Sequence, residues 1–289
     1  MRRLGATLLL AYMASLSSVF AAAQKTGSPS ENAALRYWSA FSQMQDVGIT
    51  AQQAKELNAI LDGTAPYDDS KYRPLLDKNA LALEIMARGT SMPYCEWGLD
   101  YGLGGDLPVE YARKALALGR LNVLYGLHLF KMGDKDGAVR ALTAGVRFSR
   151  DVANGGSLFA TLLAKDLLMS HLRAIAGVVK MEQLSTAQRA RLQRSVASLG
   201  AHGVDWQAAM TREMALLNKP PSQASIPLRN VTQAYLAALG DPSQLTKLQQ
   251  LIAALPMPLR DVIPGPEQVV SQKQELDDRI VQANSVLKP

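Results

Sequence analysis

Residues 122–150 read NVLYGLHLFKMGDKDGAVRALTAGVRFSR. Apolar side chains recur three or four positions apart on both sides of a break at Gly133-Asp134, through Leu124, Leu127 and Phe130 and then Ala138, Leu142 and Val146. That spacing marks two amphipathic helices. A glycine that reaches the left-handed backbone region, followed by an aspartate that caps a helix start, turns the chain between them. Tyr125-Gly126 in the first helix and Gly145 in the second alternate large and small residues, so the two backbones approach closely. The stretch predicts an antiparallel helical hairpin, and the rest of the chain repeats its grammar.

Upstream, Leu35, Trp38, Phe41 and Met44 form the apolar stripe expected of a first helix after Pro29-Ser30. A second helix starts at a Thr50 cap and carries Ala54, Leu57, Ile60 and Leu61 to a stop at Gly63. A third spans 69–88, with Leu75, Leu76, Ala80, Leu83 and Met86 as its buried stripe. The partner helix of the hairpin begins near Pro108, a residue suited to a first helical turn. Downstream, helices are expected over 157–179, 186–199, 205–217, 230–239, 242–255 and 267–287. Ser185 with Gln188 makes a capping box for one of these starts. In the last helix Val269, Leu276, Ile280, Ala283 and Leu287 share a face that the body of the protein or a partner chain must cover. Period-two alternation of strand-forming residues is nearly absent. The expected fold is all-α, with antiparallel helix pairs forming an irregular α-solenoid or a multi-helix bundle. A main helical domain is expected over 24–217, and C-terminal helices over 218–289, packed on it, are joined by linkers at Pro220, Pro221 and Pro227 and at Pro256, Pro258, Pro264 and Pro266.

Residues 1–23 combine Arg2-Arg3, an uncharged apolar run and the small residues Ala21, Ala22 and Ala23 before Gln24. This is the pattern of a secretory signal peptide, with an uncleaved anchor as the alternative. The expected address is periplasmic or secreted, with no membrane span after cleavage near Ala23. Cleavage leaves 29 basic against 25 acidic residues, a net charge of about +4. The basic residues are scattered and lack the one-sided stripe of a nucleic-acid surface, so no nucleic acid partner is expected. The lone Cys95 forbids an intramolecular disulfide, so packing alone must hold an exported chain.

The 89–108 segment, GTSMPYCEWGLDYGLGGDLP, breaks the helical pattern with five Gly and two Pro. It crowds Tyr94, Cys95, Glu96, Trp97, Asp100, Tyr101 and Asp106 together, and aromatic faces beside carboxylates suit a small polar or cationic ligand. The plain structural alternative has Trp97, Leu99 and Leu103 plugging the loop into the core while Asp100 and Asp106 cap turns. Glu96 and Trp97 beside Cys95 argue for a buried structural thiol and against a nucleophile. His128 and His171 lie on apolar helices and His202 in a turn; neither they nor the Asp134 and Asp136 pair have the spacing of a metal site. No catalytic residue, metal or cofactor is expected.

Two resemblances add to this reading. Residues 122–150 resemble a tetratricopeptide hairpin, departing from that family at Arg150, where it carries proline, and no second copy is found. The run from Cys95 to Asp100, followed by Leu107-Pro108 and a helix with Arg113, Ala117 and Leu118, is similar to a segment of uncharacterised secreted helical proteins of environmental bacteria. The second resemblance implies address and fold over about residues 30–180 and carries no activity. A binding or scaffolding role with a protein or peptide partner is the leading expectation. The alternatives are an envelope hydrolase or lyase using Glu96, Asp100 or Asp106 as acid or base, and a module that dimerises through its last helix.

Overall fold

The computed structural model describes residues 28–45, 50–101, 103, 110–181, 184–217 and 225–288. The leader expected over 1–23 lies outside them, as do Asp106 and Pro108. Among the described residues the chain forms thirteen α-helices and no strand, an all-α bundle of successive helix pairs. No helix among them is long and apolar enough to cross a membrane.

The N-terminal helices are α1 (Ala33–Gln43), α2 (Ala51–Leu61), α3 (Asp69–Lys78) and α4 (Ala80–Gly89). Helix α1 presents a different face from the one its largest residues suggest. Leu35 and Trp38 are 51% and 39% exposed, whereas Ala33, Ala34, Tyr37, Ala40 and Phe41 are buried. Alanines let the backbone of α1 come close to α4, where a Cβ on Gly89 would lie 2.6 Å from the Tyr37 ring. Close backbone approach decided the rotation of the helix more than bulk did. Helix α2 begins at the expected Thr50 cap, a complete capping box with Gln53, and ends at Gly63 in the left-handed region. The single helix expected over 69–88 is two. Asn79, fully buried, interrupts it: its amide donates to the carbonyls of Gln45 and Leu75 and its side-chain oxygen accepts from the Gln45 amide. A side chain that competes for backbone groups breaks the helix where apolar periodicity runs on.

The centre of the molecule is α5 (Glu110–Lys131), α6 (Lys135–Ala153) and α7 (Leu158–Met181). Asp134 caps α6 by accepting from the Gly137 amide, and Gly133 turns the chain at a φ of 84°. Gly126 sits against Leu142, which a Cβ there would meet at 2.8 Å. At Gly145 the neighbours are polar: a Cβ would fall 2.0 Å from His171 Nε2 and 2.3 Å from Asn122 Oδ1. His171 is fully buried, with Nε2 3.0 Å from Asn122, and with Nδ1 2.8 Å from the Leu167 carbonyl and 3.3 Å from the Ser149 hydroxyl. None of these partners is charged, and burial pushes the imidazole down to about 4.

The remaining helices are α8 (Thr186–Ala197), α9 (Trp206–Leu217), α10 (Ser225–Gly240), α11 (Leu245–Ala253), the four-residue α12 (Met257–Arg260) and α13 (Pro266–Leu287). The Ser185 and Gln188 capping box starts α8 as expected. The linker expected over 218–229 is shorter than its prolines suggest, because α10 already runs from Ser225 with Pro227 in its first turn. The first-turn amides of a helix have no intrahelical partner, so a proline there removes no bond. The apolar stripe of α13 is covered within the chain: Val269, Leu276, Ile280, Ala283 and Leu287 are all buried, and α13 packs on α7 and α8. Lys165 of α7 pins it, donating to Gln272 at 2.7 Å and pairing with Glu275.

Candidate functional site

The last two turns of α6 carry Arg147, Arg150 and Asp151, and the buried part of the loop after α4 converges there. Arg147 and Asp151 stand one helical turn apart, so the guanidinium Nε reaches both carboxylate oxygens, at 2.9 and 3.1 Å. Tyr37 of α1 donates its hydroxyl to Asp151 Oδ2 at 2.7 Å. Burial drives the Asp151 carboxyl up, against the opposing pull of Arg147 and of the Tyr37 hydrogen bond. The Tyr37 phenol is raised as well, by its own burial first and then by the Asp151 charge.

The loop folds over this turn as a plug. The Ala33 amide donates to the Tyr94 carbonyl at 2.8 Å, and Asn32 exchanges two hydrogen bonds with the Glu96 backbone, at 2.8 and 2.9 Å. Asn154 donates to the Cys95 carbonyl, and the Trp97 indole donates to the Asp151 carbonyl at 2.8 Å. Trp97 then fills the space between helices. Its ring centroid lies 4.3 Å from Tyr111, 5.8 Å from Tyr37 and 6.1 Å from Phe41. An aromatic cluster of this kind buries much apolar area and finds its one polar atom a partner.

Among the residues singled out in the sequence, the structure joins Cys95 and Trp97 in the core and leaves Glu96 and Asp100 at the surface. The Cys95 thiol is buried 3.7 Å from the Asp151 carbonyl, and burial pushes its pKa far up. It is an inert structural thiol. Tyr94 and Tyr101 are half-buried at the edge of the plug. The three histidines are dispersed: His171 is in the core, His128 pairs with Asp69 at 2.5 Å, and the exposed His202 pairs with Asp277 at 3.0 Å. Of these histidines His202 lines a cleft with plug residues, and that cleft takes in Tyr94 and Cys95 without Glu96 or Asp100.

On the far side of the α6 terminus a cleft of about 770 Å³ opens. One wall is the plug at Pro93, Tyr94 and Cys95 with Arg147, Arg150 and Asn154 beside it. The opposite wall is the 199–205 turn, the start of α9 at Trp206, Gln207 and Arg212, the end of α10 at Leu239 and Gly240, and Lys273 of α13. Gly200 and Gly203 take left-handed conformations in that turn, and a Cβ on Gly203 would press on Leu276 and Ile280 of α13. Asp205 caps α9 through the Ala208 amide. The volume falls in the range of ligand clefts, and its lining mixes apolar side chains with a few convergent polar groups.

Sequence reasoning reached this cleft at Tyr94, Cys95 and His202, and missed Arg147, Arg150, Asp151, Arg212 and Lys273. The Arg147 and Asp151 pair carried a signal, the four-residue spacing. Arg212 and Lys273 carried none, since they are brought together by chain reversal over about a hundred residues. Compared with known proteins, the chain matches no family model, no curated protein and no solved structure.

Proposed function

We propose that this protein is an exported binding protein that holds an extended segment of peptide in the cleft between the α6 terminus and the 199–207 turn. The observation that carries the reading is the cleft itself: four helices and two loops far apart in sequence build one open trough of about 770 Å³. Its walls offer Pro93, Tyr94 and Ala201 to apolar side chains and guanidinium groups to polar ones. Stacked helix pairs present such troughs to peptides as a general property of their packing. Glu96 and Asp100 do not line the cleft, so it gives neither of them a role as acid or base.

Gly240 provides the test. It ends α10 on the cleft wall, and a Cβ there meets nothing within 4 Å. Gly240→Trp is expected to fill the trough while leaving the melting temperature within a few degrees of wild type. Binding to an array of unrelated peptides is expected for the wild type and should vanish in the variant. Array binding that survives Gly240→Trp would place the interaction on another face and end the proposal.

A further inference from the structure

The cations around the cleft do not balance its acids. Arg147 is engaged by Asp151, and Lys273 by Asp277. Asp205, the other acid on the wall, is committed to the first turn of α9. Arg150 and Arg212 remain. Among the described residues neither forms an ion pair: Arg150 donates to the Ser198 carbonyl at 3.1 Å and Arg212 to the Gly156 carbonyl at 3.4 Å. Both line the cleft. Arg150 is half-buried, and burial together with its neighbour Arg147 weakens its hold on the proton. Two guanidinium groups with only neutral acceptors, on a wall partly withdrawn from water, make a site of positive potential.

From this geometry we infer that the segment the cleft takes is acidic, with a peptide carboxylate engaged by Arg150 and Arg212 and an adjoining apolar side chain against Pro93 and Tyr94. Guanidinium forks match a carboxylate in two parallel hydrogen bonds, which a point-charge cation does not. The apolar wall beside them favours a peptide side chain over a free inorganic anion, which has nothing to place there. The inference rests on reading the cleft as a peptide site, and the experiment separates the two.

Fluorescence polarisation would follow two labelled hexapeptides, one alternating glutamate and leucine and one alternating glutamine and leucine. The glutamate peptide is expected to bind at least about tenfold more tightly, the scale of one charge-assisted hydrogen bond. Raising NaCl from about 0.05 to about 0.5 M should weaken the glutamate peptide alone. Arg150→Gln and Arg212→Gln should each lower its affinity about tenfold or more and leave the glutamine peptide unaffected. Arg150→Lys, which keeps the charge and loses the fork, should fall between. Equal binding of the two peptides, with no salt effect, would refute the carboxylate while leaving the peptide cleft standing. Binding of neither would remove both. Displacement of the glutamate peptide by inorganic phosphate at constant ionic strength would assign the arginines to a phosphate and overturn the inference.

Discussion

His171 makes acid stability measurable as the property of one side chain. In the folded protein its proton affinity corresponds to a pKa of about 4, against 6.5 when the chain is unfolded and the ring is in water. Between those two values the unfolded state binds the proton and the folded state does not, so stability falls as pH falls from about 6.5 toward 4. Above 6.5 both states are neutral and the contribution is flat. At about 1.36 kcal/mol for each tenfold change in proton affinity, the drop from 6.5 to about 4 is worth about 3 kcal/mol. That is a large fraction of the 5–15 kcal/mol typical of a folded domain. Asp151 and Asp166, whose carboxyls burial raises, act in the opposite sense over part of this range. The comparison must therefore be made against a variant that keeps them. His171→Gln retains a hydrogen-bonding group beside Asn122 and cannot titrate. Urea unfolding followed by circular dichroism at about pH 7 and about pH 4 should show the wild type losing about 3 kcal/mol more than the variant. Equal losses in the two proteins would show that the ring is charged or solvated in the fold, and the argument from burial would fall.

Three further outcomes follow from the same packing. Gly145→Ala forces a methyl into the space of His171 and Asn122, which lie 2.0 and 2.3 Å from the built Cβ, and should lower stability by about 3 kcal/mol; an unchanged melting temperature would refute the interlock. Trp97→Ala should remove about 3–5 kcal/mol and expose the Cys95 thiol, which in the wild type should react with a thiol reagent only after denaturation. Lys165→Met replaces a buried ammonium by an apolar chain of similar volume and should change stability by no more than about 1–2 kcal/mol in either direction, whereas Lys165→Ala should loosen α13 measurably by hydrogen exchange at Gln272 to Ile280.

Much of the molecule was legible before any coordinates. Local rules specify the helix starts at Thr50, Asp134 and Ser185, because a cap is a contact between neighbours three residues apart. The hairpin at Gly133 and the stripe of α13 were equally plain, since apolar periodicity needs only one helix to be read. The places where the reading slipped all depend on what another part of the chain supplies. Helix α1 turned Tyr37 inward because α4 offers Gly89 against its ring, which no window around α1 contains. The break at Asn79 depends on the Gln45 backbone, thirty-four residues away. The composition of the 92–101 loop marked it as unusual without saying why, and its residues have separate fates: Glu96 and Asp100 lie in water, and Trp97 lies in the core against the end of α6.

The sequence by itself determined that this chain is helical, where most of its helices start, and that its last helix needs covering. These are consequences of backbone capping and of the 3.6-residue period, which act within a few neighbours. Only the tertiary structure decided that Asp151 anchors the plug, and that Arg150 and Arg212 line one cleft and, among the described residues, form no ion pair. Those facts depend on which surfaces meet when α6, α9, α10 and α13 pack, and side chains separated by sixty to a hundred residues share no local signal that they will become neighbours.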